Sequence, residues 1–504
     1  MDRRTAPTHP APAPAPRRAA TAGDRPAPTP STERTEPRAQ LPPEGTNEPL
    51  RLPGNLGLPL HSRVRLITRG SLPAIAWRAE ANAWARAADE RYRATTELRA
   101  LGPTDGDIRL GVKDTVDAAG FATRLGLRHH RHYPARSAAA LRGLRGVSVI
   151  AKLVTPELSI GRRHGARNPR FPRVDPAGSS TGSAVAVAAS ICDVALGTDT
   201  VASVRLPAAA CGVVGLRATH RADQLDGVFP LSPPLDAPGW IARTADDLSY
   251  FWYRSGLGGP LPPALPPGET FRVGVVAEAL DGPNTPEVRG ALDTLRDALA
   301  DSGHRLVTVR LGRLWEQRGA AYELCARTAL DAYRRWRAGA DDPLEDATRS
   351  AIEAGAEIGD ARHAEITATL RAVRGTVADL FRGQGVDLWL LPLHPVPPRG
   401  VDSPPAAASV IPRRGEPDYE RRLGYAPVAS FAGLPAIAFP AGADPERGAP
   451  IAAQAVAAPG AEALLIRFAQ EAARLLGDPL APAARPAPRP PGAGQPVAGG
   501  EGPR

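Results

Sequence analysis

Residues 176–219 read PAGSSTGSAVAVAASICDVALGTDTVASVRLPAAACGVVGLRAT. The segment opens with a turn of small residues that holds the pair Ser179-Ser180. An apolar helical run over 184–191 and a buried strand over 193–196 follow, and then a second turn, TDTVASVR. Small residues let backbone N–H groups come close to a ligand. Successive N–H groups in such a turn form an anion-binding concavity. A serine at the end of that turn sits beside its own oxyanion hole. A neutral amine nearby can take the serine's proton, directly or through a second hydroxyl.

On either side, helix and strand signals alternate. The Ala-, Glu- and Arg-rich run 79–100 predicts a helix. Strands are predicted at 108–112, running into Lys113, and at 148–153, 271–276, 306–309 and 386–391. Thr285-Pro286 caps a further helix that ends near Gly303. Alternation of this kind indicates an α/β domain. Residues 1–50 carry 12 prolines and no hydrophobic periodicity, so a disordered tail is expected there, and 479–504 read the same way. The folded part is then 51–478, with the Pro-rich 256–269 as a surface connection.

Composition narrows the function. Only 5% of residues are aromatic, which argues against a base-stacking nucleic-acid binder despite the net charge of +9. Cys192, Cys211 and Cys325 are odd in number and far apart, so neither a disulfide framework nor a metal pair is expected, and a cytoplasmic location is. No run of 18 apolar residues and no secretory h-region occurs, so no membrane partner is expected. Only two of the 62 basic residues are lysine, Lys113 and Lys152. Arginine stays charged, whereas lysine can lose its proton. A lysine kept against such a bias is a candidate base.

The segment 176–219 resembles the signature of the amidase signature family, GGSSGGS…LGTDTGGSIRxPAAxCGVVGLKPT, with Ser179 and Ser203 spaced 24 positions apart as in the family. Further matches follow in order: LGVKDTVDAAG around Lys113, AKLVTPELSIG (151–161) against GKTNMxEFA, PLSPPLDAPGWIARTADDL (230–248), DLWLLPLHPVP (387–397) and APVASFAGLPAIAFPAG (426–442). The resemblance implies the amidase signature fold, a large central mixed β-sheet covered by helices on both faces. It implies an amide hydrolase with Ser203 as nucleophile, Ser179 as the bridging serine in a cis peptide and Lys113 as general base. Backbone N–H groups of Thr200, Val201, Ala202 and Ser203 would form the oxyanion hole. Asp199 and Arg205 would brace the loop, and Lys152 would be structural. The expected substrate is a small-molecule amide. No cofactor and no metal are expected, and a homodimer is admitted.

Val201-Ala202 stand where the family has Gly-Gly, and Ala177 and Thr181 also replace glycines. A β-branched residue disfavours φ > 0, so both loop residues are expected at negative φ. The alternative is an impaired, non-hydrolytic member, either an amidotransferase-type subunit or a pseudoenzyme. The rival reading of the serine pair is a nucleophile elbow at Ser180 with His394, but its lead-in holds three prolines. The cluster His129, His130, His132 reads as a solvated loop. Residues 121–173 carry eleven arginines and Lys152 against Glu157 alone, a solvated face or the mark of an anionic partner. Specificity is expected within 310–385 and 398–425, where Trp315, Trp336, Phe381 and Tyr419 are candidates for an acyl pocket.

Overall fold

The computed structural model describes residues 41–42, 48–161, 164–258, 270–337, 343–403 and 411–480. The tail segments 1–40 and 481–504 and most of the 256–269 connection lie outside them. Eleven strands form one sheet: β1 (Thr95–Leu98), β2 (Ile108–Lys113), β3 (Val147–Leu153), β4 (Val194–Asp199), β5 (Val214–Arg217), β6 (Ala237–Ala242), β7 (Arg272–Val276), β8 (Arg305–Val309), β9 (Leu388–Pro392), β10 (Ala436–Ala443) and β11 (Pro450–Ala457). Their spatial order is β1-β3-β2-β4-β6-β5-β10-β11-β9-β7-β8. Parallel pairs β3–β2–β4 and β9–β7–β8 flank an antiparallel centre, so the sheet is mixed.

Side chains alternate between faces along each strand. Leu110 and Val112, Trp240 and Ala242, Leu388 and Leu390 point to one core, shared with helices Ala245–Arg254, Pro286–Asp301 and Glu462–Leu476. Ile241 points to the opposite face, under helices Ala74–Tyr92 and Thr181–Ala188. Trp389 and Leu391 point under Arg318–Arg337 and Asp360–Gln384. Helices thus cover both faces.

The predicted helix over 79–100 is corrected. It runs Ala74–Tyr92 and ends at Arg93, a left-handed cap with φ 53°. Asp89 then accepts from the Ala94 and Thr95 N–H groups at 2.9 Å each, and the β-branched Thr95-Thr96 start strand β1. The folded part also reaches further than position 51: Leu50 is buried, and its N–H bonds Pro169 O at 2.8 Å. No helix among the described residues is long and apolar enough to cross a membrane.

Candidate active site

Lys113 is the last residue of β2 and shares the face of Arg109 and Gly111, under helix Thr181–Ala188. Gly111 keeps that face close to its neighbours, since a Cβ there would lie 2.6 Å from Leu153 Cδ1. Ser179 comes from the turn that leads into the helix. The helix itself is wholly buried and small-sided, and a Cβ on Gly182 would meet Ala94 O and the Val154 backbone at 2.6 Å. This close packing delivers Ser179 to the lysine. Lys113 Nζ stands 2.6 Å from Ser179 Oγ and 2.8 Å from Thr198 Oγ1.

Lys113 is fully enclosed, at 0% exposure. Burial pushes its amine down to about 7, against the opposing pull of the Asp236 and Asp199 carboxylates. Asp236 is itself pushed up to about 6 by burial. It accepts from Thr200 Oγ1 at 2.7 Å and from the Ser232 N–H at 2.8 Å. Asp199 is held well below the usual carboxylate range: burial would raise it, but Arg205 and Arg217 outweigh burial. Arg205 grips Asp199 through Nε at 3.0 Å and Nη2 at 2.8 Å, and reaches Ala426 O, Gln454 Oε1 and Ser430 Oγ at 2.7–2.9 Å. The Val204 N–H also bonds Asp199, at 3.2 Å. Asp199 and Arg205 therefore brace the second turn against β10, β11 and the segment before them.

Ser203 is half-buried at the end of that turn. Its carbonyl accepts from the Ser180 N–H at 3.0 Å, which ties the two serine turns together. The Ser203 hydroxyl has no hydrogen-bond partner among the described residues. The structure brings Lys113 and Ser179 into contact, then, and joins Ser203 to them through backbone. The expectation of negative φ at both loop residues is corrected in part. Val201 is not left-handed, but Ala202 takes φ 142°. Its methyl packs with Ala209, Leu393, Ala426, Ala438 and Ala452, so the loop keeps a glycine-type backbone with an alanine in it. Val201 turns the other way, against the core that holds Leu231 and Leu235.

Thr198 and Asp236 had no signal of their own in the sequence. Asp236 lies inside a matched segment, but its approach to Thr200 depends on β4 pairing with β6, Asp199 opposite Ala237. Ser180 Oγ faces the Thr198 carbonyl at 3.3 Å, no strand precedes it, and His394 faces Val396 O, so the elbow geometry is absent. Lys152 is buried and bonds Val116 O at 2.6 Å and Thr123 Oγ1 at 3.0 Å. Phe381 is core, stacked on Trp389 at 3.9 Å. Trp315 lies against Tyr425 and Arg318, Trp336 near Tyr333, and Tyr419 is half-exposed. Among the described residues no group of three or more His, Cys, Asp or Glu is placed to hold a metal ion. Arginines of the 121–173 run pair outside it, Arg124 with Glu97 and Arg142 with Asp226, which offsets part of its charge.

The family model for Amidase matches residues 73–466. Mandelamide hydrolase of Pseudomonas putida is 30% identical over 74% of this chain and 79% of its own length. One subunit of the glutamyl-tRNA(Gln) amidotransferase of Thermus thermophilus is 31% identical over 71% of this chain and 83% of its own. Among solved structures, a crystal structure of an amidase superposes with a TM-score of 0.68 at 26% identity, covering 82% of this chain and 99% of that one.

Proposed function

The chain belongs to the amidase signature family, and from that premise we propose that it hydrolyses an amide through an acyl-serine at Ser203. The observation that carries this reading is the 2.6 Å approach of a wholly buried lysine amine to Ser179 Oγ. An amine with its affinity near neutrality is free to accept a proton. As Ser203 Oγ bonds to the amide carbon, its proton passes to Ser179, whose own proton passes to Lys113. Thr200, Val201, Ala202 and Ser203 present N–H groups to the resulting oxyanion. The C–N bond then breaks, and the leaving nitrogen takes the proton back along the same path. Water repeats the sequence on the acyl-serine, releasing the acid and restoring Ser203. The substrate is a small-molecule amide, as the names of the hydrolase relatives suggest. The three buried, unpaired cysteines fit a reducing, cytoplasmic setting.

A non-hydrolytic member on the same fold is the second reading. It is favoured by the Ser203 hydroxyl having no hydrogen bond to Ser179 or to any other described residue. Fluorophosphonate labelling separates the two. Labelling on Ser203, lost with turnover in Ser203→Ala, is the expected result. A native protein that resists the probe at Ser203 supports the second reading and sinks the first.

A further inference from the structure

The end of β3 and the segment just after it carry two polar side chains, Lys152 and Thr155, that take no part in the proton path. Thr155, 4% exposed, stands with its Oγ1 2.9 Å from the Ser179 carbonyl oxygen. The other acceptors within its reach, Pro156 O and Ser159 Oγ, are further off at 3.3 and 3.5 Å, so its single proton goes to Ser179. Three residues earlier, the Lys152 ammonium donates to Val116 O at 2.6 Å and lies 3.7 Å from Asp114 Oδ1, both in the turn that directly follows Lys113. The strand end thus touches the backbone of Ser179 and the turn that follows Lys113.

The two arms close into a ring. The Leu125 N–H bonds Asp114 O at 3.1 Å, and the next residue, Gly126, lies against Thr155, where a Cβ would stand 2.6 Å from the Thr155 carbonyl oxygen. Beyond Thr155 the chain passes through two successive left-handed residues, Leu158 at φ 50° and Ser159 at φ 61°. Backbone of that kind persists only where the surroundings over-determine it. The family pattern GKTNMxEFA has methionine at the position of Thr155, so the hydroxyl belongs to this chain and not to the pattern.

We propose that Thr155 is a positioning residue, its hydroxyl holding the Ser179 backbone at the distance the Lys113 amine requires. This rests on the Ser203–Ser179–Lys113 reading of the previous subsection. Thr155 touches no reacting atom and acts through Ser179 alone. Misplacement of a catalytic group by about 1 Å can cost on the order of a hundredfold in rate.

The test uses the full chain and a fluorophosphonate, with kinact and KI resolved separately and the melting temperature recorded for each variant. Thr155→Val and Thr155→Ala should lose about tenfold to a hundredfold in kinact with KI unchanged. Thr155→Ser, which keeps the hydroxyl and drops the methyl, should restore kinact to within about threefold of the native value. Should valine and alanine fail to fold, the serine variant still decides, because a packing role would leave it as slow as a methyl deletion. Native kinact in the valine and alanine variants overturns the proposal while leaving the Ser203 reading intact. So does a serine variant that is not rescued. Absence of labelling on Ser203 in the native chain overturns the Ser203 reading and this proposal with it.

Discussion

In the proposed mechanism Lys113 acts as an amine, and not merely as a positive charge. With its affinity near 7, the side chain is ammonium below that pH and free amine above it. Only the free amine accepts a proton, so turnover is expected to rise with pH through about 7 and then level off. Lys113→Arg keeps the charge but never deprotonates, so it should be as inactive as Lys113→Ala across pH 6–9. An active arginine variant would show that the lysine serves only as a charge. Lys113 was legible in the sequence for two independent reasons, its match to a motif and its rarity among arginines. Ser179 and Ser203 were legible as candidates through the match of their segment to the family signature, with its spacing. Thr198 and Asp236 were not, because an ordinary threonine and aspartate acquire their roles only when strand pairing carries them to Lys113 and Thr200.

At the scale of single elements, the turn between Asp199 and Arg205 shows tertiary bracing overriding local preference. A loop free to choose would not put an alanine at φ 142°. Arg205, with bonds to Asp199, Ala426, Gln454 and Ser430, fixes one end. Arg217, 3.1 Å from Asp199 Oδ1 and 2.7 Å from Leu235 O, fixes the other. That is why reading φ from residue type failed here. Strain of this kind costs about 1–3 kcal/mol, and burying the Ala202 methyl returns about 0.8 kcal/mol. Ala202→Gly should therefore raise stability by up to about 2 kcal/mol, seen in denaturant unfolding. The labelling rate at Ser203 should change little, since the N–H groups already sit on a glycine-type backbone. A glycine variant that lowers stability, or that switches labelling on from nothing, would mean that the alanine loop is arranged otherwise.

Over the whole molecule, the sequence made the sheet visible wherever a strand is a short apolar run, as at β2, β3, β4, β7, β8 and β9. Strands β5, β6 and β10 were evident only as parts of matched motifs, and the Ala-rich β11 was not evident at all; the antiparallel centre needs the pairing of segments more than 200 positions apart, such as Arg217 with Ala436. The ends of the chain make a separate test. The composition of 1–40 and 481–504 offers too little apolar surface to offset the entropy of ordering. A chain cut to 41–480, which keeps Leu50 in its cluster, should match the full chain in melting temperature and in Ser203 labelling. A clear loss of either would show that a terminal segment docks on the sheet domain. One further consequence comes from the two lysines. Both are at 0% exposure, and the sequence holds no third. Active esters, aldehydes and enzymes that conjugate to side-chain amines thus meet no lysine handle on the folded protein. All three cysteines are buried as well, which leaves thiol chemistry equally without purchase. Attaching the folded molecule to a bead or a dye through its side chains has to use other groups, such as its carboxylates or the exposed Tyr133.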